Sequence, residues 1–173
     1  MMVLPNSYAT VVSIFAALKA SAAFVVINES VRSAKLRHLV ADSQARVLIS
    51  DRRHVAGVLD GFVGQPPAML LVDGVEGLEP TKHLHDFDEV IDRHAPAVPP
   101  RLATSEDLAS LVYTSGSSGA PKGVMCGNDN VTFAAGSIIT YLENKPDDIV
   151  INGLPFSFDY GLYQLLMTFY FGG

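Results

Sequence analysis

The sequence predicts an α/β fold, a layered, mostly parallel sheet flanked by helices. Two observations carry this reading. Helical and strand spacings alternate along the chain, and the strand candidates are short, apolar runs rather than apolar–polar alternations. Strands of that kind are covered on both faces, as those of a parallel sheet are.

Taken in order, Tyr8, Val11, Val12, Phe15 and Leu18 follow helical spacing, and Ala22 to Ile27 reads as a buried strand. Leu36, Leu39 and Val40 mark a second helix, with Ser33 the expected cap. Arg46 to Ile49 gives a second strand, Val55, Val58, Leu59 and Phe62 a third helix, and Met69 to Val72 a third strand. From Asp73 to Pro100 the chain is rich in glycine, proline and charge, which predicts a surface excursion with one short helix around Phe87, Val90 and Ile91. Leu108 to Tyr113 is then expected as an interior strand of the sheet. A helix follows on Val131, Ala134, Ala135, Ile138, Ile139 and Leu142, and Ile149 to Ile151 reads as a strand. Leu162, Leu165, Leu166 and Phe169 form the last helical stripe.

Composition narrows the function. Apolar residues make up 49% of the 173 and charged residues 17%, which excludes a disordered chain. The net charge is −6 and no Lys/Arg run exceeds Arg52-Arg53, so bulk charge offers no grip on nucleic acid or an anionic membrane. Val11 to Ile27 is apolar, but Ser13, Lys19 and Ser21 interrupt it and no basic residue precedes Lys19, so neither a signal peptide nor a membrane span is expected. One cysteine, Cys126, cannot form an internal disulfide; it fits a cytoplasmic setting and reads as a small buried packing residue. His83, His85, Asp86 and Asp88 lack a second ligand cluster at fixed spacing, so no metal site is expected.

One segment carries chemistry. Thr114-Ser115-Gly116-Ser117-Ser118-Gly119-Ala120-Pro121-Lys122-Gly123 follows the strand Leu108 to Tyr113. Its three glycines let the backbone approach a ligand closely, and its four hydroxyls and backbone N–H groups can converge on an anion. Lys122 adds a positive charge suited to a polyphosphate, and Pro121 stiffens the loop before it. A plain Gly/Ser turn would need neither the preceding buried strand nor the Pro-Lys-Gly ending. A P-loop of the nucleotide triphosphatases would need a hydroxyl residue directly after the lysine; Gly123 is there instead.

The stretch Leu111 to Met125 around this loop resembles the signature phosphate loop of the adenylate-forming (AMP-binding) superfamily: acyl-CoA synthetases, peptide-synthetase adenylation domains and luciferases. Leu18 to Asn28 is similar to an earlier block of that superfamily, with Ser21 where glycine is usual. Leu154 to Leu162 is similar to the block that opens the helix beside the acyl pocket. The blocks follow in the family's order.

The resemblance implies a partial large N-terminal domain of such an enzyme over residues 1–173. Neither the adenine- and ribose-binding blocks nor the mobile C-terminal domain is expected within this stretch. It implies that Thr114, Ser115, Gly116, Ser117, Ser118, Gly119 and Lys122 hold the β- and γ-phosphates of ATP, with Mg2+ accompanying the nucleotide. Phe158 would stand near the substrate carboxylate. Asp159 would pair with the α-amine of an amino-acid substrate; capping of the last helix is its other reading. Gly161 replaces the serine usual in the amino-acid motif, and Asn128 replaces a histidine while still able to cap its helix. The family's adenylation lysine has no counterpart, so no catalytic residue is assigned.

The implied activity is acid plus ATP to acyl-AMP plus pyrophosphate, then transfer to coenzyme A or to the phosphopantetheine of a carrier protein. The substrate is a small carboxylic acid: fatty, aryl or amino. The alternative is a catalytically inactive remnant, or a weak phosphate-binding or interaction module. The chain by itself is expected to be inactive, and truncation is expected to leave Leu162, Leu165, Leu166 and Phe169 open to solvent.

Overall fold

A computed structural model describes residues 1–60, 62–115 and 121–173. Its main sheet has five parallel strands in the order β2-β1-β3-β4-β5. These are β1 (Met2–Val3), β2 (Val26–Ile27), β3 (Val47–Ser50), β4 (Ala68–Leu71) and β5 (Leu84–Asp86). Helices α1 (Tyr8–Lys19), α2 (Ser33–Asp42) and α3 (Val55–Leu59) separate β1 to β4, and α4 (Phe87–Arg93) follows β5. Two further strands, β6 (Leu108–Ser115) and β7 (Pro121–Gly127), form an antiparallel hairpin, followed by α5 (Asn128–Leu142) and α6 (Asp159–Phe171). The predicted α/β layering is present.

Strand residues alternate between two cores, because successive side chains point to opposite faces. Val3, Ile27 and Leu48 face Leu36, Leu39, Val40 and Val58 of α2 and α3. Met2, Val26 and Ile49 face Ile14 of α1 and Leu162, Leu165 and Leu166 of α6. Apolar cover on both sides is why these strands lack apolar–polar alternation. It also corrects one expectation: Leu162, Leu165 and Leu166 are buried, and only Phe169 of that stripe is largely exposed.

Several boundaries differ from the sequence reading. The strand expected over Ala22 to Ile27 shrinks to Val26–Ile27, with Phe24 bridging separately to Ser110. The third helix begins with a 3-10 turn, Arg52–His54, and ends at Leu59, leaving Phe62 outside but packed on the core. Ser33 does not cap α2; it lies inside the helix and Arg32 holds the cap position without a side-chain bond. The excursion after Asp73 contributes a fifth strand, β5, which pairs with β4 through Leu70↔His85. Polar, charged residues hid that strand, since an edge strand need not be apolar. Ile149 to Ile151 is not a strand. Both isoleucines are exposed, and among the described residues no strand runs beside them to complete a ladder.

The strand predicted inside the parallel sheet is not part of it: β6 belongs to a separate two-stranded sheet that touches the main one through an isolated bridge. β6 pairs antiparallel with β7 on one side. On the other, the Phe24 N–H donates to the Ala109 carbonyl at 2.9 Å and the Leu111 N–H to the Phe24 carbonyl at 3.0 Å. Ser21 secures this junction. It sits at φ 55°, the left-handed region that glycine enters most freely, which explains why glycine is usual there. Its hydroxyl accepts the N–H groups of Leu102 (3.2 Å) and Ala103 (3.0 Å), tying the end of α1 to the approach to β6.

Candidate phosphate and acyl site

The hairpin holds together the ends of the segment expected to bind phosphate. Thr114 pairs across the ladder with Lys122, and Ser115 with Pro121. Thr114 and Lys122 are therefore directly opposite one another near the end of the ladder. Gly116, Ser117, Ser118 and Gly119, also expected to hold phosphate, lie outside the described residues.

A cavity of about 620 Å³ opens beside Thr114. Ile27 and Asn28 at the carboxyl end of β2 line it, together with Arg32, Lys35, Ser157, Phe158 and Asp159. Ligands of open parallel sheets bind at this end of the strands. Both residues expected to meet the acid, Phe158 and Asp159, thus share one cavity with a residue expected to meet ATP.

Asp159 is the first residue of α6, and its carboxylate does not cap the helix. Phe158 occupies the cap position in extended backbone (φ −111°, ψ 143°), with no side-chain capping bond. The capping reading of Asp159 is thereby corrected: the carboxylate is free of that duty, although the helix dipole favours a negative charge there.

Two asparagines, not foreseen from the sequence, shape the segment leading to Asp159. Asn6 donates to the Leu154 carbonyl at 2.8 Å and accepts the Phe156 N–H at 2.9 Å. Asn152 donates to the Gly161 carbonyl at 2.7 Å and accepts the Leu154 N–H at 3.1 Å. The partners of Asn6 are some 150 positions away, so no local pattern announces them. The same tight turn explains Gly161. A Cβ there would stand 2.4 Å from the Pro155 carbonyl oxygen and 2.6 Å from that of Leu154, so the serine of the amino-acid motif has no room.

Asn128 does not cap α5; Gly127 does, and its N–H donates to the Asn130 side chain at 3.1 Å. The Asn128 amide instead donates to the carbonyls of Thr104 (2.9 Å) and Asp107 (3.1 Å). Cys126 lies in β7 opposite Ser110 and is partly exposed, not buried.

Charged groups cluster after β3. Asp51 accepts from Arg53 Nε at 3.0 Å and lies 3.2 Å from His54 Nδ1. Burial pushes the Asp51 carboxyl upward, but Arg53 and His54 outweigh it and hold the group below its ordinary range. Arg53 also reaches Glu29 at 3.3 Å, and His54 Nε2 lies 3.1 Å from the Glu29 carbonyl, tying β3 to the segment after β2. Tyr113, next to Thr114, donates its hydroxyl to Asp42 at the end of α2. Its phenol is pushed up to about 12, by burial first and by Asp42 second.

Among the described residues no group of three or more His, Cys, Asp or Glu converges as a metal site would require, and Asp86 is engaged as the cap of α4, accepting the Glu89 N–H at 2.8 Å. No described helix is long and apolar enough to cross a membrane.

Comparison with known proteins gives the chain's relatives. The chain is 29% identical over 170 residues to malformin synthetase mlfA of Aspergillus brasiliensis, covering 97% of the chain and 3% of that protein. It is 28% identical over 158 residues to a linear gramicidin synthase of Brevibacillus parabrevis, covering 91% and 2%. Among solved structures, VinN superposes with a TM-score of 0.76 at 30% identity, over 99% of this chain and 43% of VinN. ATP-bound MatB from Rhodopseudomonas palustris superposes at 0.82 with 21% identity, over 99% and 33%, a likeness of fold. The chain thus spans a small part of the synthetases and less than half of the solved enzymes. The family model of AMP-binding enzymes matches residues 1–173 throughout, and the chain belongs to that family.

Proposed function

We propose that this chain is part of the large domain of an ATP-dependent ligase that activates a carboxylic acid bearing an amine. The observation that carries the reading is the shared cavity, with Thr114 of the phosphate hairpin on one side and Phe158 and Asp159 on the other. The substrate carboxylate attacks the α-phosphorus of ATP; the bond to the β-phosphate oxygen breaks, giving acyl-AMP and pyrophosphate. Lys122 and the loop N–H groups stabilise the charge gathering on departing pyrophosphate. Mg2+ would arrive on the phosphates of ATP rather than in a cage of carboxylates, as is usual for that ion. The acyl group then passes to a thiol, of coenzyme A or of carrier-borne phosphopantetheine. Likeness to two large synthetases supports the carrier.

The amine rests on Asp159, whose carboxylate is not spent on the helix end. An ammonium beside it would form a charge-assisted pair. VinN, 30% identical, has been crystallised with 3-methylaspartate and with L-aspartate, which supports an amino acid here too.

Carboxylate-dependent ATP–pyrophosphate exchange by the enzyme carrying this chain tests the reading. Exchange should require an amino acid. Lys122→Ala should lower it roughly tenfold to a hundredfold, the effect of losing a charge-assisted contact of about 1.5–3 kcal/mol. Asp159→Asn should abolish the preference for the amino acid over its desamino analogue. Exchange that ignores Lys122 would overturn the phosphate role, and a desamino acid that works equally well with the wild type would overturn the amine.

A further inference from the structure

We propose that Tyr113 and Asp42 form a clasp that sets the phosphate-loop hairpin against the helix walling the cavity, so that both are positioning residues for pyrophosphate. The inference rests on the phosphate-loop reading above.

The hairpin needs such support. β6 is flanked on both sides only as far as Leu111, where its last bond to Phe24 falls. From Val112 to Ser115 the strand has β7 as its only ladder partner among the described residues. A two-stranded ribbon is marginal in water by itself. Yet this stretch must hold Thr114 and Lys122 steady at the mouth of the loop.

Tyr113 supplies the missing anchor. It faces Gly123 across the ladder, and a Cβ at Gly123 would stand 3.3 Å from Cε1 and Cζ of the ring. The ring therefore lies over the backbone between Lys122 and Val124, close contact that the bare glycine allows. Beyond the ring, the hydroxyl donates to Asp42, the last residue of α2. Arg32 at the cap of that helix and Lys35 and Leu39 within it line the cavity. One rigid helix thus touches the acid-side cavity at its start and the root of the phosphate loop at its end. The high phenol value keeps the proton on Tyr113 through the neutral range, so the hydroxyl remains a donor to the carboxylate.

The test is calorimetric titration of residues 1–173 with magnesium pyrophosphate, at a temperature where circular dichroism shows each variant folded. Tyr113→Phe and Asp42→Ala should each weaken binding about tenfold, and the double variant should weaken it no further, since one bond is lost in all three. A merely structural role would lower the melting temperature without this shared, non-additive loss of affinity. Lys122→Ala is the control. Binding that needs Lys122 but ignores Tyr113→Phe, or single losses that multiply in the double variant, overturns the clasp alone. Binding indifferent to Lys122, or none by the wild-type chain, overturns the phosphate reading and the clasp with it. Should Asp42→Ala not fold, Tyr113→Phe, which keeps the ring, decides.

Discussion

Residues 1–94 and 108–173 differ in how they meet water. In the first region, α2 and α3 close one face of the parallel sheet, and Leu36, Leu39, Leu48, Val58 and Met69 are all but inaccessible. In the second, α6 sends Leu162, Leu165 and Leu166 inward against the other face of that sheet. Val124, Met125, Phe133, Tyr141, Ile149, Ile151 and Tyr170 nevertheless remain on the surface. The β6–β7 hairpin and Asp159 belong to this second region. The first is thus a scaffold stabilised chiefly by burial, and the second is positioned largely by specific polar contacts such as those of Asn6, Asn152 and Tyr113. Positioning at the site thus draws on hydrogen bonds, to distant backbone for Asn6, to nearby backbone for Asn152 and to the Asp42 carboxylate for Tyr113.

The widest test of this contrast is a pair of truncations. Leu48 is fully buried in β3, so Leu48→Ala should cost about 2–5 kcal/mol, the transfer and cavity cost of a core leucine. Phe133 on α5 is 78% exposed, so Phe133→Ala should change stability by no more than about 0.5 kcal/mol. Urea unfolding of both variants measures it; equal losses would mean that the α5 face is covered in solution and the contrast is false.

A smaller effect is expected at the turn before α6. Gly161→Ser forces a Cβ against two backbone carbonyls and should cost roughly 1–3 kcal/mol, as overpacking does. It should also shift the start of α6, visible as changed amide resonances for Asp159 and its neighbours. A neutral Gly161→Ser with unmoved resonances would show that the turn tolerates the serine and that Asn6 and Asn152 do not hold it rigidly.

The mildest effect concerns acid. Asp51 titrates below its ordinary range in the folded chain, so the unfolded chain takes up the proton first as pH falls. The stability this supplies is complete above the ordinary value of 3.8 and fades as pH drops through the lower folded value. Asp51→Asn should therefore flatten the acid limb of a plot of unfolding midpoint against pH below about 4. An unchanged acid limb would show that the Asp51–Arg53–His54 cluster does not stabilise the scaffold.

Much of this was legible in the sequence because it is local. Helical spacing from Tyr8 to Leu18 and from Leu162 to Phe169 reports a buried face directly, and α1 and α6 lie where that spacing puts them. The glycines, hydroxyls and lysine after Tyr113 point to a phosphate loop because that chemistry needs those residue types side by side, and the family itself, matched over residues 1–173, was legible from the same stretch. Tertiary structure alone decided matters that depend on distant neighbours. Leu84–Asp86 becomes a strand because β4 offers its edge, and Ile149 to Ile151 does not because nothing described lies beside it. Asp159 is relieved of capping by the backbone at Phe158, Gly161 is required by the carbonyls of Leu154 and Pro155, and Tyr113 finds Asp42 across 71 positions. Spacing along a chain reports which face of an element is apolar; which groups meet across the fold depends on how those faces pack, and only the assembled layers determine that.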